Sequence, residues 1–316
     1  MSTNTAQQLI LQHSTNPVNN PGYETKTDKA WTHAYKPIKI VTSHTMTGAD
    51  GMTHANFEEA FLPLQADDEL RFRQRALPPN NRHWRLETEA DCENWFHTEV
   101  VNVVLSAWHA YPAMTQTSHT KPISEENIAE NVDCVFSVRV GNTRRTVAIG
   151  EMKRNLLEED WQDGTIVSAS QKRLSQELRG YAYKYQCPQV FCFDGSLLIL
   201  LQFRAYRRES LKDEACPVDC WTIPIEGSSC SLRYGLYRLL AQGWRRCQGE
   251  FAAPFTVGGF VPCSREFYTG LPIWEIDGRR QRSHPAGYQR AVHHENGALV
   301  WTHGANPAEW ETGAFW

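Results

Sequence analysis

At 316 residues with 41% hydrophobic content, the chain is long enough to bury a substantial core, as one domain with extensions or at most two. Its net charge of −4 argues against a dedicated polybasic nucleic-acid binder but leaves room for a local basic face. No apolar run approaches a membrane span, the segment from Met1 to Lys26 is too polar for a signal peptide, and nine cysteines fit free thiols in a reducing compartment, so cytoplasm or nucleus is the expected location.

In chain order, residues 1–35 are rich in Ser, Thr, Asn, Gln and Pro and read as a flexible polar tail. An N-terminal extension over 36–84 follows, with a short helix expected between Asn56 and Leu70, interrupted at Pro63. A core domain is expected over 85–250. It opens on a capping signal, Thr88 followed by Asp91, and a helix with Phe96, Val100, Val103, Val104 and Ala107 on one stripe. Glu93 lies on that stripe, so the helix carries a carboxylate toward whatever it packs against; Glu89, one turn earlier, reads as a first-turn acid favoured by the helix dipole.

The next segment is the most informative. Val132 to Val140 alternates as a strand, Arg144 to Lys153 reads as a second, and Gly141-Asn142-Thr143 reads as the turn. A three-residue loop sets Val140 opposite Arg144, and counting back sets Asp133 opposite Glu151. Directly opposed residues share a face, with Cβ atoms about 4.5–5.5 Å apart, and Lys153 joins that face two residues on. Two carboxylates so close repel unless something positive lies between them, and a hard cation such as Mg²⁺ (or Mn²⁺) with oxygen ligands suits the position. Lys153 then has two plausible tasks, activating a bound water or neutralising charge on a phosphate. Taken alone, the pattern is an ordinary ion pair on a sheet.

After an acidic stretch around Glu158, Glu159 and Asp160 comes a helix with Leu174, Leu178, Tyr181, Ala182 and Tyr185 on one face. Gln171, Lys172, Arg173, Gln176, Arg179 and Lys184 are its polar and basic residues, with reach to a phosphate backbone or an attacking water. Gln189 to Phe193 and Leu197 to Phe203 form a hairpin turned at Asp194-Gly195-Ser196; Cys220 to Ile225 reads as a strand and Ser231 to Arg246 as a helix packed on the sheet. Residues 251–316, crowded with Gly, Pro, Trp and His, read as short hairpins and long loops wrapped on the core. Cys216, Cys220, Cys230 and Cys247 lack a tight second pair for zinc, so buried thiols are expected, and His293-His294 reads as part of a surface loop.

The order helix, strand, strand, helix, strand, strand, with an acid on the first helix, Asp on the next strand and Glu-x-Lys on the one after, resembles the core of the PD-(D/E)XK nuclease superfamily over residues 85 to 205. A closer resemblance is to the PD-(D/E)XK nuclease-like proteins of filamentous fungi, through Glu93-Asn94-Trp95 and Gln176-Glu177-Leu178-Arg179-Gly180-Tyr181. It implies an α/β restriction-endonuclease-like core with a mixed sheet flanked by helices. It also implies a metal held by Asp133 and Glu151 with Glu93, a catalytic Lys153, and a catalytic glutamine at Gln171 or Gln176. Val132 stands where many members have Pro before the Asp. The implied activity is Mg²⁺-dependent hydrolysis of nucleic acid, DNA ahead of RNA, with Lys172, Arg173 and Arg179 on phosphate. A homodimer is compatible with it, and the alternative is an inactive nuclease-like module that binds nucleic acid or a protein.

Overall fold

The computed structural model describes residues 4–25, 29–122 and 130–316. Five helical elements matter here: α1 (Ala6–Ile10), α2 (Ala66–Phe72), α3 (residues 89–107), α4 (Ala169–Lys184) and α5 (Leu232–Glu250). The central sheet has seven strands: β1 (Val41–Ser43), β2 (Met114–Thr120), β3 (Val132–Val140), β4 (Thr143–Met152), β5 (Gln189–Phe193), β6 (Leu197–Phe203) and β7 (Val218–Pro224). Their spatial order is β1-β7-β6-β5-β4-β3-β2, with β4 parallel to β5, β7 parallel to β1, and the other neighbours antiparallel. A parallel pair cannot be joined by a tight turn, and α4 is the crossover between β4 and β5. The fold is therefore α/β, a mixed sheet flanked by helices.

Alternation along the strands divides the core in two. Cys134, Phe136, Val138, Phe191, Phe193, Leu198 and Leu200 point to the face covered by α3 and α5, whereas Val135, Ile149, Val190, Cys192, Ile199 and Leu201 point to the face covered by α4. α3 begins with a capping box between Thr88 and Asp91 and runs as Glu89–Phe96, a π-helical turn His97–Val101, and Asn102–Ala107. Phe96, Val100, Val103, Val104 and Ala107 are all buried, as their spacing predicts.

The β3–β4 hairpin reaches the expected register by a different route. Its turn is one residue shorter than the expected three, Val140 pairing with Thr143 around Gly141-Asn142, and a bulge at Val147 then inserts the missing residue. Beyond the bulge Ile149 pairs with Val135 and Gly150 with Cys134, where the ladder ends; one residue further along the same register sets Glu151 beside Asp133, whose carboxylate accepts from Met152 N–H. The bulge is braced from behind, because α5 passes so close that a Cβ on Gly243 would lie 2.2 Å from the Val147 carbonyl oxygen.

Three sequence expectations need correction. The N-terminal segment is not a flexible tail in the described residues: Ala6, Leu9 and Ile10 lie in the core, and the polar residues are spent on it, Ser14 Oγ and Asn16 Nδ2 donating at 2.8 and 2.7 Å to the buried Glu99 carboxylate. Composition cannot distinguish polar groups that face water from polar groups satisfied by a partner far along the chain. A strand absent from the expected order, β2, enters between α3 and β3; its sequence MTQTSHT has polar alternation only, which hydrophobic periodicity does not detect. The short helix of the extension lies at Ala66–Phe72, past Pro63. Residues 251–316 form two small three-stranded sheets that dock on α5, with Gln248 Nε2 donating to the Gly297 carbonyl at 3.0 Å and Trp244 edge-on to Phe315.

Candidate functional site

At the end of the β3–β4 hairpin, on the α4 side of the sheet, three chain segments bring charged groups together. Glu151 is carried in by β4, and Lys153, two residues on, turns to the same side. Lys153 Nζ lies 2.7 Å from Glu151 Oε1 and 3.3 Å from Glu177 Oε1, the latter projecting from the middle of α4. Lys29, from the N-terminal segment, reaches the same two carboxylates at 2.9 and 2.6 Å and donates to the Tyr181 hydroxyl at 2.9 Å. Glu151, Lys153 and Glu177 are buried. Glu151 Oε2 is buried too and receives no hydrogen bond.

Asp133 lies beside this group, more open to solvent. Its Oδ2 accepts from the Met152 backbone N–H at 2.7 Å, which locks the carboxylate across the hairpin. Its Oδ1 is 3.5 Å from His119 Nδ1, and His119 Nε2 is 3.2 Å from Glu93 Oε2, so His119, 54% exposed and in the left-handed backbone region at φ 50°, bridges the strand acid to the helix acid. His97, in the π turn of α3, contacts the other Glu93 oxygen at 3.2 Å. Glu93 thus faces the sheet margin as its place on the helical stripe predicts.

The electrostatics follow from packing four carboxylates and two ammonium groups around one spot. Burial pushes Glu151 up to about 8, against the pull of Lys153. Burial also acts on Glu177, but Lys153, a hydrogen bond from Glu151 and Lys29 outweigh it and hold this carboxyl down at about 2. Asp133 is raised mainly by burial. Burial alone would lower Lys153 and Lys29, yet the carboxylates of Glu151 and Glu177 raise both well above the ordinary lysine value. Both therefore remain ammonium ions at neutral pH.

The structure places the other sequence candidates elsewhere. Gln171 is a buried clamp on the loop after β4: its amide donates to the Leu156 carbonyl at 2.6 Å and accepts from the Trp161 indole at 2.7 Å. Gln176 Nε2 donates to the Tyr35 carbonyl at 2.8 Å. Arg179, expected on phosphate, is instead buried over the Phe203 ring and donates to the carbonyls of Leu211 and Asp213, an interior position that no backbone phosphate reaches. Lys172 and Arg173 are exposed on the first turns of α4. Arg154 is also interior, tying the carbonyls of Pro21, Leu86 and Glu87 together at 2.6 Å each. All nine cysteines are free thiols, and only Cys263 is exposed.

Four residues of the cluster were not among the sequence candidates. Glu177 was detectable: it lies three residues after Leu174 and four before Tyr181, on the stripe that faces the sheet. Tyr181 was seen only as a packing residue, although its hydroxyl donates to the Asn131 carbonyl at 3.1 Å and accepts from Lys29. Lys29 and His119 have no local signature, since their partners lie on other elements. Among the described residues, no group of three or more His, Cys, Asp or Glu side chains stands in a metal-holding arrangement. No protein-family model, curated protein or solved structure matches this chain.

Proposed function

We propose that this chain is a metal-dependent nuclease of the PD-(D/E)XK kind, hydrolysing phosphodiester bonds of DNA. One observation carries the reading: Asp133 and Glu151 face each other across adjacent strands, Lys153 stands 2.7 Å from Glu151, and Glu93 approaches from α3 through His119. The donors suit a hard cation. Asp133 Oδ1 and the Glu151 Oε2 that receives no hydrogen bond would be its oxygen ligands, since Mg²⁺ or Mn²⁺ is commonly held by one or two carboxylates with water and substrate phosphate filling the remaining positions. When bound, such an ion polarises the phosphoryl group and acidifies a coordinated water.

The chain's own residues set the remaining roles. Lys153, kept protonated by Glu151 and Glu177, acts as a positive charge for the phosphate oxygens in the transition state and not as a base. Glu177 positions Lys153 from α4. Met152 N–H fixes Asp133, and His119 and His97 orient Glu93. A DNA substrate and nine free thiols both fit nucleus or cytoplasm.

A second reading has its own support. Lys29 and Lys153 already neutralise Glu151 and Glu177, a charge balance that needs no added cation and suits a nuclease-like module that binds without cutting. The two separate in one experiment: purified protein with single- or double-stranded DNA or RNA, in Mg²⁺, Mn²⁺ or EDTA, beside Asp133→Ala and Lys153→Ala. The nuclease reading expects metal-dependent cleavage lost in both variants. Cleavage that survives both substitutions overturns the assigned site, and binding without cleavage in any metal selects the second reading.

A further inference from the structure

The face of the sheet that carries Asp133 does not end at the carboxylates. It continues along β3 through Val135 and Ser137 to Arg139, and on the edge strand β2 through His119, Thr117 and Thr115, since Thr115 pairs with Ser137 and Thr117 with Val135. β2 has a neighbour on one side only, and after Met114 each of its residues is Thr, Gln, Ser or His. The outer margin of the sheet is thus a row of hydroxyl and imidazole groups running from the candidate site toward the hairpin tip.

At the tip, Arg139 stands directly opposite Arg144. Both are exposed, and the next residue, Arg145, is exposed as well. Like charges directly opposed on neighbouring strands cost stability unless an opposite charge sits between them. Among the described residues no carboxylate supplies one, and the partners of Arg144 are neutral: Nε donates to Ser137 Oγ at 2.7 Å and Nη2 to Thr117 Oγ1 at 3.1 Å. Those bonds hold the guanidinium in place and leave its charge uncompensated. Thr115, Ser137, Val138, Arg139, Asn142 and Arg144 line a depression of about 360 Å³. Two guanidinium groups, hydroxyls and an amide around one hollow form a donor set for a tetrahedral oxyanion, with the planar fork of arginine suited to two oxygens at once. This concentration of positive charge stands on a chain whose net charge is −4.

We infer that Arg139 and Arg144, with the hydroxyls of Thr115 and Thr117 beside them and the buried Ser137 holding Arg144 from beneath, hold the phosphate backbone of a nucleic-acid strand laid along β2 and β3. Asp133 and Arg139 are six residues apart on β3, which at a strand rise of about 3.3 Å per residue is roughly 20 Å. A duplex strand carries one phosphate per about 3.4 Å of axis, so the arginines engage phosphate roughly six nucleotides from the bond that faces Asp133, Glu151 and Lys153. That spacing rests on the nuclease reading; the phosphate contact itself does not. Phosphate contacts of this kind position a polymer without reading its sequence.

The test is equilibrium binding of fluorescently labelled DNA, single- and double-stranded, in EDTA so that no strand is cut, over a series of salt concentrations. The full chain is compared with Arg139→Ala/Arg144→Ala and with Arg144→Lys. Loss of two phosphate contacts lowers the log–log salt slope on duplex DNA by about 1.8, and affinity at low salt falls by about tenfold or more. Arg144→Lys, which keeps the charge, retains most of the slope. Urea unfolding of the double variant is unchanged or slightly improved, because a repulsive pair has been removed. An affinity and salt slope equal to the parent's overturn the inference, even if the parent cleaves DNA and the nuclease reading stands. A parent that binds but never cleaves, with binding weakened in the double variant, sustains the phosphate track and removes the nuclease reading. A parent that binds no nucleic acid in EDTA overturns the phosphate track and leaves the nuclease reading to the cleavage assay in Mg²⁺ or Mn²⁺.

Discussion

Gly243→Ala tests whether the bulge in β4 is what delivers Glu151 to Asp133. The added Cβ would meet the Val147 carbonyl oxygen at 2.2 Å, the Val147 carbonyl carbon at 2.9 Å and Val147 Cγ1 at 2.8 Å. Two of these are backbone atoms of the bulge itself, so rotation of a side chain brings no relief, and either α5 or the bulge must move. Overpacking of this kind costs about 1–3 kcal/mol, and alanine recovers about 1 kcal/mol of helix propensity. Because the obstacle is backbone, the cost belongs at the upper end, leaving a net loss of about 2 kcal/mol. Urea unfolding reads the loss directly, and thermal melting should fall by roughly 4 °C for a chain of this size. Gly235→Ala is the internal control: its Cβ meets the Ile223 Cδ1 terminus at 2.4 Å, a flexible end that can yield, so its penalty should be smaller. Hydrogen exchange supplies the site-specific readout, since a displaced bulge weakens the Met152 N–H bond to Asp133 and speeds exchange at that amide. A Gly243→Ala protein as stable as the parent, with Met152 equally protected, would refute the claim that the α5 contact braces the register.

Two other predictions address buried charge. Glu177→Ala leaves Lys29 and Lys153 sharing Glu151 alone and should destabilise by about 3–5 kcal/mol in urea, with Glu177→Gln intermediate; an effect below about 1 kcal/mol would show that the ammonium groups are solvated. The second concerns Asp67, buried between Arg71 and Arg245 at the start of α2. Burial would raise its carboxyl, but the two guanidinium groups outweigh it and hold the group well below the usual carboxylate range. Its stabilisation is therefore complete above the ordinary Asp value of about 4 and is lost as pH falls below it. In Asp67→Asn, urea midpoints measured from neutral to acid pH should be lower at neutral pH and fall less steeply on the acid side, and parallel curves for parent and variant would contradict the assignment.

The hairpin was legible because its information is local. Alternation marks the strands, and a residue count across the turn places Asp133 opposite Glu151, although the chain makes up that count with a two-residue turn and a bulge at Val147. The bulge itself was not legible: it depends on α5 pressing against β4 from more than ninety residues away. The Leu174-Leu178-Tyr181 stripe was legible and contained Glu177, which was read as part of a Gln-Glu-Leu pattern and not as a charge aimed at the sheet. Gln171 and Gln176 were chosen for their chemistry, but helical geometry turns each toward a backbone carbonyl. Edge strand β2 was missed because its alternation is between polar residues. Lys29 was out of reach, as its role exists only in the ion pairs it makes with β4 and α4.

Lys29 also imposes an order on assembly during synthesis. It leaves the ribosome 122 residues before Glu151 and 152 before Tyr181. At about 5–20 residues per second, its first partner follows roughly 6–24 s later. Over that interval neither of the carboxylates that Lys29 pairs with has been made. Once Glu151 and Glu177 emerge, they are two acids on a nascent sheet and helix, and the waiting lysine joins Lys153 as the second cation between them. The segment that looks most dispensable in composition thus supplies one of the two ammonium groups at the most charged spot described above, and removing it after folding and removing it before translation are different experiments.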